Sequence, residues 1–108
     1  MSDAIVVFMT ASSADEARRI AQQLVESQLA ACVQLLPEIE SIYRWNGEVQ
    51  REKEVLILVK TTADNFAQLD QSVRAIHSYE TPEIVAVRIS DISEPYRAWL
   101  NESISARS

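Results

Sequence analysis

The chain has 108 residues, of which 47% are hydrophobic and 24% charged, and these proportions are typical of one ordinary globular domain. Its formal net charge of −6 excludes the basic surface that binding to nucleic acid or to an anionic membrane requires. No apolar run approaches the roughly 20 residues that span a bilayer, the first residues lack the basic flank of a signal peptide, and the lone Cys32 fits a reducing compartment. We therefore expect a cytoplasmic protein with no membrane and no nucleic-acid partner.

The first half of the chain begins with a short β-branched and aromatic run at residues 4–9, which is typical of a buried strand. Ser13 follows as the N-cap of a first helix, and Glu16 completes the capping-box pattern, in which its side chain reaches back to the cap. An extended pattern at residues 31–36 predicts a second strand. Pro37 is expected to bend this strand, because proline cannot donate a hydrogen bond to a neighbouring strand.

A long β-hairpin is predicted next. Residues 38–45 continue the second strand, and residues 48–60 return as its partner. Between them, Asn46 and Gly47 are residue types that tolerate the positive φ angles of a type I′ turn.

The remaining pattern contains a helix, a strand and a short terminal helix. Several capping residues at 61–64 precede a helical repeat that ends at His77, residues 83–89 form a last strand, and Pro95 opens the terminal helix. No linker or repeat divides the chain, so residues 1–108 form one domain. The order βαββαβ predicts an α/β (α+β) ferredoxin-like fold, with four antiparallel strands and both main helices on one face.

The two central strands predict self-association. Residues 5–9 and 55–59 are apolar at every position, although two helices can cover only one face of the sheet. An uncovered apolar sheet would promote aggregation. We expect a second copy of the chain to cover it; the alternative is that the terminal helix, with Tyr96, Trp99 and Leu100, folds back over the sheet of a monomer.

Several kinds of chemistry have no support in the sequence. The single glycine, Gly47, leaves no phosphate-binding loop and no dinucleotide-binding fingerprint. Neither a Cys-x-x-Cys nor a His-Glu-x-x-His spacing is present, so no standard zinc motif is visible. No nucleophile, base and orienting group can be grouped together, and we do not expect an enzyme.

Cys32, His77, a group of aromatic residues and a group of glutamates remain as candidates. Cys32 lies in an apolar strand, where an inert buried thiol is commoner than a nucleophile paired with His77. His77 closes a helix and either caps its last carbonyls or contacts a metal or another ligand. The aromatic residues either line a subunit cleft or pack in the core: Tyr43, Trp45, Tyr79 and Trp99. The glutamates either form a solvated face or attract divalent cations: Glu48, Glu52 and Glu54.

Four ordered motifs resemble the CutA divalent-cation tolerance family. They are LAACV at 29–33, SIYRWNG at 41–47, EVLILVKT at 54–61 and HSYETPEI at 77–84, and the spacing of Tyr96 and Trp99 agrees. The match covers nearly the whole chain. The resemblance implies a ferredoxin-like fold, a tight homotrimer similar to the PII signalling proteins, and a link to tolerance of copper and other divalent cations, but no known reaction.

The resemblance also implies candidate sites. Some family members carry a cysteine at the end of the first strand and a histidine pair at the end of the second helix, where this chain has Met9, Ile76 and His77. A thioether and one imidazole suit Cu(I) better than Cu(II) or zinc, so the implied metal ligands are His77 with Met9 or Cys32. The positions that match the family's shared pattern, together with the candidate aromatic residues, imply a cleft between subunits: Lys60, Tyr79 and Glu80, with Tyr43, Trp45 and Trp99.

Three functional hypotheses follow. The first is a trimer that binds copper or another divalent metal ion and responds to it. The second is a PII-like signalling module that binds a small anionic metabolite through Lys60 and Arg88, assisted by His77 and Tyr79. The third is a stable trimeric scaffold that anchors another protein and needs no small-molecule site.

Overall fold

The computed structural model describes residues 2–104, which form a four-stranded sheet and three α-helices. The elements in chain order are β1 (Ala4–Ala11), α1 (Ala14–Glu26), β2 (Cys32–Trp45), β3 (Glu48–Thr62), a 3₁₀ turn (Ala63–Asn65), α2 (Phe66–Ile76), β4 (Ile84–Arg88) and α3 (Glu94–Glu102). The strand order is β2-β3-β1-β4, and every neighbouring pair is antiparallel. The predicted ferredoxin-like α+β fold is confirmed.

The hydrophobic core lies between the sheet and helices α1 and α2. Alternate residues of β1 point to the same face, and Ile5, Val7 and Met9 are buried there against apolar residues of the two helices, such as Leu24 and Val73. The first strand runs two residues beyond its predicted end, because β3 pairs with it as far as Ala11. We call this the helix face of the sheet and the opposite side the second face.

The N-terminus of α1 is capped as predicted, but the capping box is incomplete. The Ser13 hydroxyl accepts a 3.1 Å hydrogen bond from the backbone N–H of Glu16. The Glu16 carboxylate does not return to the cap. It accepts hydrogen bonds from the Ser12 hydroxyl at 3.2 Å and from the backbone N–H and hydroxyl of Ser78 at 2.7 and 3.0 Å. Glu16 therefore ties the start of α1 to the segment after α2.

The long hairpin of β2 and β3 forms as predicted. The pairing register shifts between Leu36 and Ile39, so Pro37 bends β2 without ending it. Asn46 and Gly47 both have positive φ, 50° and 78°, as a type I′ turn requires. Beyond the bend the hairpin extends away from the core, and most of its side chains are exposed.

The second face of the sheet is only partly covered by the chain's own α3. Lys60 pairs with Cys32, and its Nζ lies 5.7 Å from the ring centroid of Tyr96, which places the start of α3 over that end. Elsewhere the face is apolar and open: Val85 and Val87 are each 52% exposed. In the monomer alternative, the terminal helix folds back over the sheet. The observed α3 therefore covers only one end of the second face.

None of the helices formed by residues 2–104 has the length and apolar character needed to cross a membrane.

Candidate functional site

A cavity of about 570 Å³ opens at the end of the second face where the hairpin leaves the sheet. Ser41, Tyr43 and Trp45 alternate along β2 and so project to the same side. Side chains of β1, β3 and the segment between α2 and β4 complete the walls: Thr10, Glu54, Tyr79, Glu80 and Glu83. We call this space the Glu54 cavity. Its lining contains aromatic rings, hydroxyls and three carboxylates, but no basic side chain.

Glu54 is the buried charge of this cavity. Its side chain lies at the start of the apolar part of β3 and is only 9% exposed, and its Oε2 accepts a 2.6 Å hydrogen bond from the Tyr79 hydroxyl. Among residues 2–104, no lysine, arginine or histidine nitrogen lies within ion-pair distance of it. The prediction of a solvated face is wrong for Glu54, although Glu48 and Glu52 are exposed. Burying a carboxylate without a positive partner is unfavourable, so the cavity favours a cation.

The charge of Glu54 affects the pKa values of two neighbouring side chains, Tyr79 and Glu83. Burial raises the pKa of Tyr79, and the hydrogen bond to Glu54 and the negative charge there raise it further, so the phenol remains a hydrogen-bond donor. Burial also raises the pKa of Glu83, and repulsion from Glu54 adds to the effect. The negative charge of Glu54 therefore disfavours a second ionised carboxylate at Glu83.

His77 supports the wall of the cavity from behind. Its side chain is fully buried; Nε2–H donates a 2.8 Å hydrogen bond to the carbonyl of Thr10, and Nδ1 accepts a 3.0 Å hydrogen bond from the backbone N–H of Tyr79. Because a carbonyl only accepts and an amide N–H only donates, the ring is the neutral Nε2–H tautomer. The backbone N–H of His77, rather than its ring, caps α2 by donating to Val73. The ring thus positions Tyr79 relative to β1.

Glu16 lies next to this histidine, with Oε2 3.7 Å from Nδ1. Burial raises the pKa of Glu16, but the backbone and side-chain hydrogen bonds from Ser78 and the hydrogen bond from Ser12 outweigh it, so the pKa is lowered overall. Glu16 is therefore an ionised, well-hydrogen-bonded anchor rather than part of the cavity lining.

The structure does not bring the three predicted metal ligands together. Met9 is fully buried on the helix face, whereas Cys32 pairs with Lys60 on the second face, near Tyr96. Both ring nitrogens of His77 already have backbone partners. Within residues 2–104, no cluster of three or more histidine, cysteine or acidic side chains is arranged to hold a metal ion.

The six residues predicted to line a cleft divide into two groups. Four of them line the Glu54 cavity: Tyr43, Trp45, Tyr79 and Glu80. Lys60 and Trp99 lie instead around Tyr96 of α3, Trp99 with its ring centroid 5.2 Å from that of Tyr96. Because Lys60 pairs with Val6, four residues before Thr10 on β1, this second group is roughly 13 Å along the strand from the cavity.

Thr10, Ser41 and Glu83 were not among the predicted site residues, and Glu54 was predicted to be solvated. The sequence did contain a signal for the position of Glu54. Because side chains alternate along a strand, Glu54 lies on the same side of β3 as Leu56 and Leu58, which is the second face. The other three residues become neighbours of Glu54 only when the strands pair in the observed register.

Comparisons with known proteins agree with this fold. Residues 5–103 match the family described as CutA1 divalent ion tolerance protein. A curated relative from Thermus thermophilus, named divalent-cation tolerance protein CutA, is 49% identical over 98 residues, which cover 91% of this chain and 95% of that protein. The solved structure of a divalent cation tolerance protein (Cut A1) from Thermus thermophilus superposes with a TM-score of 0.92 at 47% identity, covering 94% of this chain and 99% of that one.

These similarities define the class of the protein. The chain belongs to the CutA1 divalent ion tolerance protein family. It spans about half the length of some plant and animal relatives: the chloroplastic CutA protein of Arabidopsis thaliana is 38% identical over 92% of this chain and 54% of its own length.

Proposed function

We propose that the chain acts in divalent-cation tolerance as a homotrimer that binds cations, copper among them, in the Glu54 cavity. The observation that carries the proposal is the Glu54 carboxylate, which is buried and has no positive partner among the described residues. A bound cation would neutralise it and relieve its repulsion of Glu83. The names of the relatives, which refer to divalent-cation tolerance, support the same function.

The donor atoms available for a metal are oxygens. The Tyr79 hydroxyl donates a hydrogen bond to Glu54 Oε2, whereas Oε1 accepts no hydrogen bond from the described residues. The carboxylates of Glu80 and Glu83 line the same space. Among first-row divalent ions, a given set of oxygen donors generally binds Cu²⁺ most tightly. We therefore expect weak binding that decreases from Cu²⁺ to Zn²⁺ to Mn²⁺.

The trimer is proposed from the second face of the sheet. Val85, Val87 and Leu36 are large apolar residues left 43–52% exposed on that face. A second copy of the chain would remove this surface from water. Such an assembly would bring the rim of the Glu54 cavity close to a neighbouring subunit, in keeping with a cleft between subunits. We propose that the chain has no catalytic role and that it acts in the cytoplasm.

The acidic lining does not favour the anionic-metabolite hypothesis. Lys60 lies near α3 on the second face, and Arg88 forms an ion pair with Asp3, which immediately precedes β1. Neither lines the Glu54 cavity. An anion placed there would meet carboxylates rather than the predicted basic residues.

The test is isothermal titration of the assembled protein with Cu²⁺, Zn²⁺ and Mn²⁺, with light scattering to determine its mass. We expect a trimer mass and saturable Cu²⁺ binding that Glu54→Gln abolishes and Cys32→Ser leaves unchanged. Binding lost in Cys32→Ser but kept in Glu54→Gln would move the metal to the predicted thiol site. A monomer mass would overturn the assembly.

A further inference from the structure

We propose that the Glu54 cavity is a binding site for an alkylammonium ion, with the charged nitrogen at Glu54 and the apolar chain against Tyr43 and Trp45. The inference rests on the proposed cation-binding function and names an organic ligand class for the same site. It follows from the size of the cavity, from its aromatic walls and from the way in which Glu54 is held.

The size of the cavity suits an organic molecule. One water occupies about 30 Å³ in the liquid, so a single metal ion with a few waters would leave most of the 570 Å³ unfilled. Sites for small organic ligands usually measure about 300–1,000 Å³ and combine apolar walls with a few polar groups. The Glu54 cavity has this size and this combination.

The aromatic walls provide a contact that a hydrated metal ion would not use. Tyr43 and Trp45 project from alternate positions of β2 into the cavity and are 41% and 48% exposed in the single chain. Exposed aromatic rings beside a buried carboxylate attract an organic cation through their π faces and its chain through apolar contact. No basic side chain among the described residues that line the cavity competes for these rings.

The Glu54 carboxylate is arranged to receive a hydrogen-bond donor. The Tyr79 hydroxyl donates to Oε2 at 2.6 Å, which fixes the carboxylate and leaves Oε1 for another donor. The hydroxyls of Thr10 and Ser41 also line the space and accept N–H groups. A primary ammonium has three N–H donors, so one head group satisfies the carboxylate and the neighbouring oxygens together.

The described residues contain no conventional metal site. They contain no group of three or more histidine, cysteine or acidic side chains that could hold an ion. Two features remain for recognition: one buried charge and flat apolar surfaces. These are the complement of an alkylammonium ion.

The experiment uses the assembled protein with three probes of equal chain length and different charge: n-butylammonium, 1-butanol and butyrate. Trp45 and Trp99 are the only tryptophans, and Trp99 lies outside the cavity lining. Trp99→Phe therefore leaves Trp45 as the single fluorescence reporter. We expect saturable quenching by n-butylammonium and none by the neutral or anionic probe. Equal quenching by all three would overturn charge recognition.

Matched variants test the two parts of the site. Glu54→Gln should weaken n-butylammonium binding about tenfold or more, as expected for a charge-assisted hydrogen bond. Glu40→Gln removes the same charge from the opposite side of the hairpin and should leave binding unchanged. Tyr43→Leu, at an exposed position that folding tolerates, should weaken n-butylammonium but not Cu²⁺. Equal effects of Tyr43→Leu on both cations would overturn the aromatic contact.

The outcomes separate this inference from the proposed function. Cu²⁺ binding that depends on Glu54, without binding of n-butylammonium, overturns the organic ligand and leaves the cation site in place. Binding of neither cation by a folded trimer overturns both, because a neighbouring subunit would then satisfy Glu54.

Discussion

The Tyr79 hydroxyl donates a 2.6 Å hydrogen bond to Glu54 Oε2, joining the segment before β4 to the base of the β2–β3 hairpin. The backbone N–H of the same tyrosine donates to Nδ1 of His77, whose Nε2–H donates to Thr10 on β1. A chain of hydrogen bonds thus connects the buried carboxylate to the central strand. The position of Glu54 depends on this connection as well as on β3.

Tyr79→Phe removes the only hydrogen bond that the Glu54 carboxylate accepts from the described residues. Leaving a buried charged acceptor without its donor should lower the free energy of unfolding by about 1–3 kcal/mol near neutral pH. Urea denaturation at a fixed protein concentration measures the change, because the stability of an oligomer depends on concentration.

The matched control for this change is Glu54→Gln. In a Glu54→Gln background, Tyr79→Phe should cost clearly less, because a neutral amide needs the donor less than a carboxylate does. An identical cost in both backgrounds would show that the tyrosine acts through packing and not through the hydrogen bond.

Most of the fold was predictable from the sequence because local signals and periodicity agree. Asn46 and Gly47 mark the hairpin turn, Ser13 marks a helix start, and the apolar runs at 5–9 and 55–59 mark the central strands. Glu16 was expected to reach back to the helix cap, and this was wrong because its carboxylate accepts a hydrogen bond from Ser78, 62 residues away. Local sequence contains no signal for such a long-range partner.

The candidate site was predictable only in part, for the same reason. Tyr43, Trp45, Tyr79 and Glu80 were expected to share a cleft and do line one cavity, but Lys60 was grouped with them and lies elsewhere. The placement of Lys60 depends on strand register, which periodicity leaves open. Whether a charged residue on a strand is solvated or buried likewise depends on the elements that pack around it.

Protonation of Glu16 should make the protein less stable as the pH falls into the acid range. Its folded-state pKa lies below the ordinary value of 4.5 because the hydrogen bonds from Ser78 and Ser12 outweigh the effect of burial. The unfolded chain therefore binds the proton more tightly, so the contribution of ionised Glu16 is present above pH 4.5 and is lost as the pH falls below it. Glu16→Gln should lower stability at neutral pH, and the difference from wild type should shrink in acid.

Urea denaturation across the pH range checks this prediction. Glu26→Gln, which changes an exposed residue at the end of the same helix, is the matched control and should leave the pH profile close to that of wild type. A Glu16→Gln profile that runs parallel to wild type through pH 4.5 would contradict the role given to the carboxylate.

Val87→Glu tests the proposed trimer at its apolar surface. Val87 lies on the second face of the edge strand β4 and is 52% exposed in the single chain. If a second copy covers this face, a charge there would be buried without a partner, which strongly disfavours association. Light scattering should show a shift from trimer towards monomer. Ala67→Glu places the same charge on an exposed position of α2 and should leave the trimer mass unchanged.

His77→Ala should destabilise the protein whether or not metal is present. The substitution leaves the Thr10 carbonyl and the Tyr79 N–H without their partner and removes a fully buried ring. We expect a loss of about 2–4 kcal/mol in the free energy of unfolding, equal with and without a chelator. Ile76→Ala, at the preceding and more exposed position, should cost less. If His77 served instead as a metal ligand, its substitution would cost stability only in metal-loaded protein, and denaturation in the chelator would show no difference from wild type.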